Sequence, residues 1–255
     1  MAYLISAHVF REKPSVTQLA ELPNSIGYRL YFHGTANLYL LDVFRASKVP
    51  QYPFQTLLPT VDIPLDLPPA LDVLRRLFEQ LGTVKLANPF KRSYINGALL
   101  LSRLVQLPVF SFVSDDDELD FTCSASDGAL RRLKCRCGDL LISYDGTQVQ
   151  IAPMVPEAEA DEDLGTDTAA LKTALPDVQV LPREAPWNTQ LHALALEELR
   201  AFAGVKDAIL GLGSFDPPED EAAWQLVASR SAGPAAAPET ARKREPAKRW
   251  WEMWK

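Results

Sequence analysis

Residues 140–151 read LLISYDGTQVQI, and the Asp145-Gly146 pair at their centre restricts the fold more tightly than any other feature of the chain. A type I′ turn needs positive φ at both central positions, which Asp-Gly tolerates, so the pair marks a β-hairpin. A two-residue loop sets Tyr144 opposite Thr147, Ile142 opposite Val149 and Leu140 opposite Ile151, which gathers the apolar side chains on one face. Just upstream, Leu119, Phe121, Cys123 and Ala125 alternate with Glu118, Asp120, Thr122 and Ser124. Leu133, Cys135 and Cys137 alternate in the same way with Arg132, Lys134 and Arg136. The two alternations stay in phase when the loop between them has an odd number of residues, as in Asp127-Gly128-Ala129 with Gly128 left-handed. That register pairs Asp120 with Arg136 and Thr122 with Lys134. An antiparallel meander over residues 107–154 is the expectation.

The flanking segments extend it. YLISAHVF (residues 3–10) reads as an opening strand, and PSVTQLAEL (14–22) as a short helix with Pro14 at its start. GYRLYFHG (27–34) and ANLYLLDVF (36–44) carry the aromatic and branched residues of paired strands joined around Gly34 and Thr35. Six prolines between Pro50 and Pro69 exclude regular structure there and indicate an extended connection. In PALDVLRRLFEQLG (69–82), Leu71, Leu74, Leu77, Phe78 and Leu81 fall at helical spacing before Gly82, and YINGALLLSRLVQ (94–106) supplies a second, more apolar helix. WNTQLHALALEELRAF (187–202) restores helical periodicity, and DPPEDEAAWQLVAS (216–229) reads as a shorter helix with an acidic first turn, which suits the helix dipole.

The expected fold class is α+β. A core domain over residues 1–155 is built on a mainly antiparallel sheet with two helices packed on one face. An acidic linker (156–186), a small helical segment (187–230) and a flexible basic, Trp-rich tail (231–255) follow. The linker assignment rests on PEAEADEDLGTDT (156–168), which has six acidic residues and no basic ones and too little apolar surface to fold alone.

Charge narrows the function classes. The formal net charge is −7, yet residues 242–255 carry six basic and two acidic residues, so the tail is +4 and the remainder is −7 − 4 = −11. A body this acidic repels phosphate, which argues against general nucleic-acid binding outside the tail and favours a protein partner with a basic surface. No apolar run approaches the roughly 18 residues that span a bilayer. The opening MAYLISAHVFREK lacks a basic n-region and is too short in its apolar part for a signal peptide, so the cytoplasm is the expected compartment.

Catalytic chemistry is thinly represented. Cys123, Cys135 and Cys137 form an odd, clustered set, and Cys135-Arg-Cys137 lacks the two to four intervening residues of structural zinc sites, so buried thiols are expected and neither metal nor cofactor. Only His8, His33 and His192 could serve as bases, and no serine stands in a G-x-S-x-G elbow. An enzyme of unrecognised class, with its site near the His8 and His33 strands, Asp42 and the Asp115-Asp116-Asp117 loop, is the alternative reading.

The leading expectation is a non-enzymatic protein-binding protein: an inhibitor, an immunity-type protein or an adaptor. Its expected contact residues are the acidic run Asp115, Asp116, Asp117 and Glu118 and the tail residues Lys248, Arg249, Trp250, Trp251 and Trp254. Tryptophan and arginine dominate interface hot spots, and an acidic patch accelerates encounter with a basic partner. A peripheral membrane module, contacting anionic lipid through the same indoles and flanking bases, is the third reading.

Overall fold

A computed structural model of the chain describes residues 4–46, 49, 76, 89–115, 121–137, 140–153, 172–173, 175–181, 198–199, 201–204 and 224–233. Most of them form one ten-stranded, mainly antiparallel sheet, with few helices. The strands are β1 (Leu4–Phe10), β2 (Ile26–His33), β3 (Leu38–Arg45), β4 (Val109–Asp115), β5 (Phe121–Ser126), β6 (Ala129–Cys137), β7 (Leu140–Tyr144), β8 (Val149–Pro153), β9 (Gln179–Val180) and β10 (Trp224–Arg230). Their order across the sheet is β10-β2-β3-β1-β4-β5-β6-β7-β8-β9. The first strand in sequence is therefore central, clamped between β3 and β4. Strands from beyond residue 155 occupy both edges, and β9 makes the one parallel pairing among the described strands.

Alternation divides the sheet into two faces. Phe10, Leu30, Leu41, Val109, Cys123, Leu133 and Ile142 belong to one buried cluster, which α2 (Pro89–Val105) joins through Ile95, Ala98, Leu101, Leu104 and Val105. Those five positions recur at three- and four-residue intervals, the spacing of a single helical stripe. Each fully buried leucine stabilises the layer by roughly 1.5–3 kcal/mol, so this stripe dominates the attachment of the helix. Pro89 suits the first turn because its missing N–H is unpaired there anyway. At the other end, the Ser102 hydroxyl accepts from the Gly128 N–H at 3.0 Å, tying α2 to the β5–β6 turn. The other face gathers Ala7, Val9, Tyr31, Leu38, Leu40, Phe110, Phe112 and Trp224, covered by Leu199 and Phe202 from the helical residues 198–199 and 201–203.

Two turns differ from the sequence expectation while keeping the expected faces. The β5–β6 loop has two residues, Asp127 at φ 53° and Gly128 at φ 72°, not three, because Ser126 pairs directly with Ala129. The odd residue sits in the strand instead: Ala125 pairs with Leu130 and Ser124 with Arg132, so Arg131 is the extra residue of a β-bulge. Thr122 pairs with Lys134 as expected, whereas Asp120 lies outside the described residues.

The β7–β8 loop has four residues, since Tyr144 pairs with Val149, Ile142 with Ile151 and Leu140 with Pro153. Asp145 sets that length. Its Oδ1 accepts from the Thr147 N–H at 2.9 Å, the Thr147 hydroxyl at 2.7 Å and the Gln148 N–H at 3.1 Å, an Asx-turn that outcompetes the tight Asp-Gly turn. The Tyr144 hydroxyl closes the loop on the Gly146 carbonyl at 2.9 Å. Those three donors, the Thr147 hydroxyl foremost, hold the Asp145 carboxyl down to about 2. A carboxylate held below its ordinary value near 4 stabilises the turn above that value and loses its contribution as pH falls toward 2. Amide exchange at Thr147 and Gln148 is expected to accelerate between about pH 4 and pH 2 in excess of its intrinsic pH dependence, and Asp145→Asn is expected to abolish that excess. An unchanged profile in the Asn variant contradicts the assignment.

The larger correction concerns residues 216–229, read above as a helix. Trp224–Arg230 is a strand, pairing antiparallel with β2 from Trp224 opposite His33 to Arg230 opposite Tyr28. The register slips between Leu226 and Ala228, which places a bulge at Val227 and breaks the period-2 pattern that would have disclosed the strand. α1 (Val16–Leu19) is a single turn, shorter than expected. Of the helix read at 69–82 only Arg76 falls within the described residues, where it is helical.

Candidate functional site

The central row of the α2-facing surface crosses three strands. His8 on β1 pairs with Ser111 on β4, and Ser111 pairs with Cys123 on β5. All three side chains are shielded from solvent, at 0%, 0% and 1% exposure. His8 Nδ1 lies 2.6 Å from Ser111 Oγ, and Ser111 also hydrogen-bonds the Cys123 thiol. Burial pulls the His8 imidazole down to about 3 and pushes the Cys123 thiol far above its ordinary value. A neutral thiol and a neutral imidazole, separated by Ser111 on the strand between them and both closed off from solvent, hold the chemical types of a nucleophile and base without the thiolate or the access that reaction requires. Cys123 and Cys135 are buried in the core and are not joined in a disulfide. Among the described residues no cluster of three or more His, Cys, Asp or Glu side chains is placed to hold a metal ion.

The other residues of the enzyme reading lie elsewhere. His33 and Asp42 project from the opposite face, in the alternation shared by Tyr31 and Leu40, so the sheet separates both from His8. His33 Nδ1 accepts from the Ala36 N–H at 3.0 Å and stabilises the β2–β3 turn, while its ring meets Trp224 edge-on at 4.8 Å. Asp42 is fully buried and stands opposite Arg29, whose guanidinium lies 5.7 Å from the Phe44 ring centroid. His8, His33 and Asp42 therefore do not converge on one site. Asp115 ends β4 opposite Leu4. Asp116, Asp117 and Glu118 lie outside the described residues, as do His192 and the tail residues Lys248, Arg249, Trp250, Trp251 and Trp254.

What the structure adds is the sheet edge at β10. Leu226 and Val227 are 55% and 40% exposed, conspicuous for apolar side chains on a strand. Among the described strands β10 pairs only with β2, so its outer row of N–H and C=O groups has no strand partner there. The strand is nonetheless firmly held. Arg230 donates to the carbonyls of Ala20 at 2.9 Å, Leu22 at 3.0 Å, Pro23 at 3.1 Å and Ile26 at 2.7 Å, and its guanidinium lies 5.5 Å from the Tyr28 ring centroid. The Gly233 N–H then donates to the Asn24 carbonyl at 2.7 Å. Sequence reasoning missed these residues because the acidic run before Trp224 imitates a helix start. The Trp-Gln-Leu-Val composition, rich in strand formers, was the available signal.

No family model, curated protein or solved structure matches this chain.

Proposed function

We propose that this is a protein-binding protein of inhibitor, immunity or adaptor type, and that it takes its partner along the β10 edge with help from the C-terminal tail. The observation that carries the proposal is the pair Leu226 and Val227, exposed on a strand whose outer backbone groups have no strand partner among those described. An edge of this kind accepts an added strand: backbone hydrogen bonds supply affinity, and alternate side chains supply selectivity. Continuity supports the tail's part, since β10 ends at Arg230 and the +4 segment with its three indoles begins twelve residues later, at Arg242. The acidic residues Asp115–Glu118 and 157–163 complement a basic partner by steering its approach.

Compartment and helix packing are part of the same proposal. Among the described residues no helix is long and apolar enough to cross a membrane, and we take the cytoplasm as the site of action. The α+β arrangement with two helices on one face is supported by Arg76, which is helical and lies 3.3 Å from Asp177, beside the Leu175 and Val178 that join the α2-facing cluster.

Affinity capture from a lysate of the source cell, with the full chain and a chain ending at Gly233, tests the tail. Capture by the full chain that weakens with salt and falls at least tenfold on truncation is expected, because a buried tryptophan contributes roughly 2 kcal/mol or more to a complex. Equal, salt-independent capture by both chains contradicts the tail's role. Leu226→Lys with Val227→Lys is expected to leave folding stability within about 0.5 kcal/mol, since both side chains are exposed, as a denaturant midpoint will show.

A further inference from the structure

We propose that the sheet face opposite α2 is a helix-receiving groove in which the helical residues 198–199 and 201–203 are a resident ligand. A partner's amphipathic helix displaces them when it carries an acid, a leucine and an aromatic residue at positions i, i+1 and i+4. The resident residues dock through their side chains. The Glu198 carboxylate accepts from Lys134 of β6 at 2.5 Å. Leu199 is 1% exposed, within the cluster that holds Ala7, Val9, Phe110 and Phe112. The Phe202 ring stacks on Phe110 of β4 at 5.4 Å between centroids, and Ala203 packs against the same cluster. Ala201 is exposed, so positions 198, 199, 202 and 203 form the inner stripe of a helix and 201 its outer side.

The receiving surface is continuous across three strands. Phe112 on β4 pairs with Thr122 on β5, and Thr122 pairs with Lys134 on β6, which sets an aromatic ring, a buried hydroxyl and an ammonium in one row. Adjacent strands lie about 4.8 Å apart, so β4 and β6 are separated by roughly 10 Å. A helix rises about 6 Å over four residues, and the reach of the two end side chains covers the remainder, so an acid four residues before an aromatic spans the row. Arg11, which follows β1, closes the far end. Its guanidinium lies 5.2 Å from the Phe202 ring centroid and beside Gly204, whose φ of 70° ends the helix. A cation suits a helix C-terminus, so Lys134 and Arg11 together fix the direction in which a helix lies on the face.

Topology makes the resident helix exchangeable. β9 ends at Val180 on one edge of the sheet and β10 begins at Trp224 on the other, and the helical residues between them belong to no strand pairing. Lifting them off breaks no strand-to-strand hydrogen bond, and a second helix of the same pattern restores the apolar cover. Covalent attachment gives the resident helix an effective concentration on the order of 1 mM, so a partner's helix wins by binding more tightly or by meeting a weakened resident. The groove does not rest on the β10 edge, because its contacts lie on β4, on β6 and at the residue that follows β1.

The test titrates a dye-labelled synthetic peptide of residues 194–206 with the full chain and reads fluorescence anisotropy. Leu199→Ala with Phe202→Ala in the chain is expected to bind the peptide about tenfold more tightly than the wild type, because apparent affinity rises with the fraction of chains whose groove is open. Lys134→Glu added to that chain is expected to weaken binding about fivefold, and a peptide carrying Glu198→Lys to bring it back to within about threefold. Equal affinity for the wild type and the double variant, no binding to the folded double variant, or binding that Lys134→Glu leaves unchanged overturns the groove. Should the double variant fail to fold, amide exchange in the wild type decides. Exchange at residues 198–204 through a local opening that denaturant does not accelerate, with β1 and β4 still protected, supports the groove, and exchange there only on global unfolding overturns it.

Discussion

Gly27→Ala is expected to destabilise the protein by about 3 kcal/mol and to lower its melting temperature by roughly 6–12 °C, the upper range for overpacking a folded interior. Gly27 lies on β2 where β10 turns past it. A methyl group there would stand 2.6 Å from the Ala232 nitrogen, 2.8 Å from the Arg230 carbonyl oxygen and 2.6 Å from Phe44 Cε2. A phenylalanine ring can swing aside, but the other two atoms are backbone, and moving them means moving β10. The conformation of Gly27 is open to any residue; the constraint is space. The loss is therefore expected to appear first as faster amide exchange over residues 224–230, with β3, β1 and β4 still protected, and then as a lower global melt. A variant that melts within 2 °C of the wild type would show that β10 does not pack on β2 in this way.

Arg230→Ala is expected to cost about 2–3 kcal/mol. Four carbonyls that converge on one guanidinium cannot all be matched by another side chain, and Pro23 and Ile26 bracket the entrance to β2, so the same contact fixes β10 and the chain entering β2. Charge-assisted hydrogen bonds are the stronger kind, and exposure of several of these carbonyls to water keeps the loss below their sum. Arg230→Lys is expected to recover less than half of it, because an ammonium is a single point and the arrangement needs a planar fork. Chemical denaturation of the three chains measures both numbers. The double variant with Gly27→Ala is expected to lose less than the two single losses added together, since either change alone already loosens the same strand. Full recovery with lysine would mean that Arg230 acts only as a charge.

The sheet was legible to the extent that each strand could be recognised from its own residues. Apolar and β-branched composition disclosed the strands within residues 3–10 and 27–44, and alternation over residues 118–125 and 132–137 showed which side chains share a face there, because a face survives any register error of two residues. The turns were less legible. Asp145-Gly146 favours a two-residue loop by backbone preference alone, but Asp145 gains three hydrogen bonds by spreading the turn over four residues. In β6 the odd residue needed to keep the faces in phase was foreseen, and its position was not, since a bulge at Arg131 and a three-residue loop leave the same alternation. β10 was lost altogether: its partner lies nearly 200 residues upstream, its own alternation is broken at Val227, and local composition pointed to a helix. The two histidines in strands were placed correctly within strands, whereas their separation by the sheet depends on the parity of each strand relative to its neighbours.

The central functional claim is that the β10 edge is a protein-binding surface, and the most direct measurement is affinity capture with the full chain against the same chain carrying Leu226→Lys and Val227→Lys. Both versions fold with equal stability on this account, so any difference belongs to the edge. The account predicts a defined partner on the wild-type chain and its loss from the double variant. The same partner retained by both chains would contradict it.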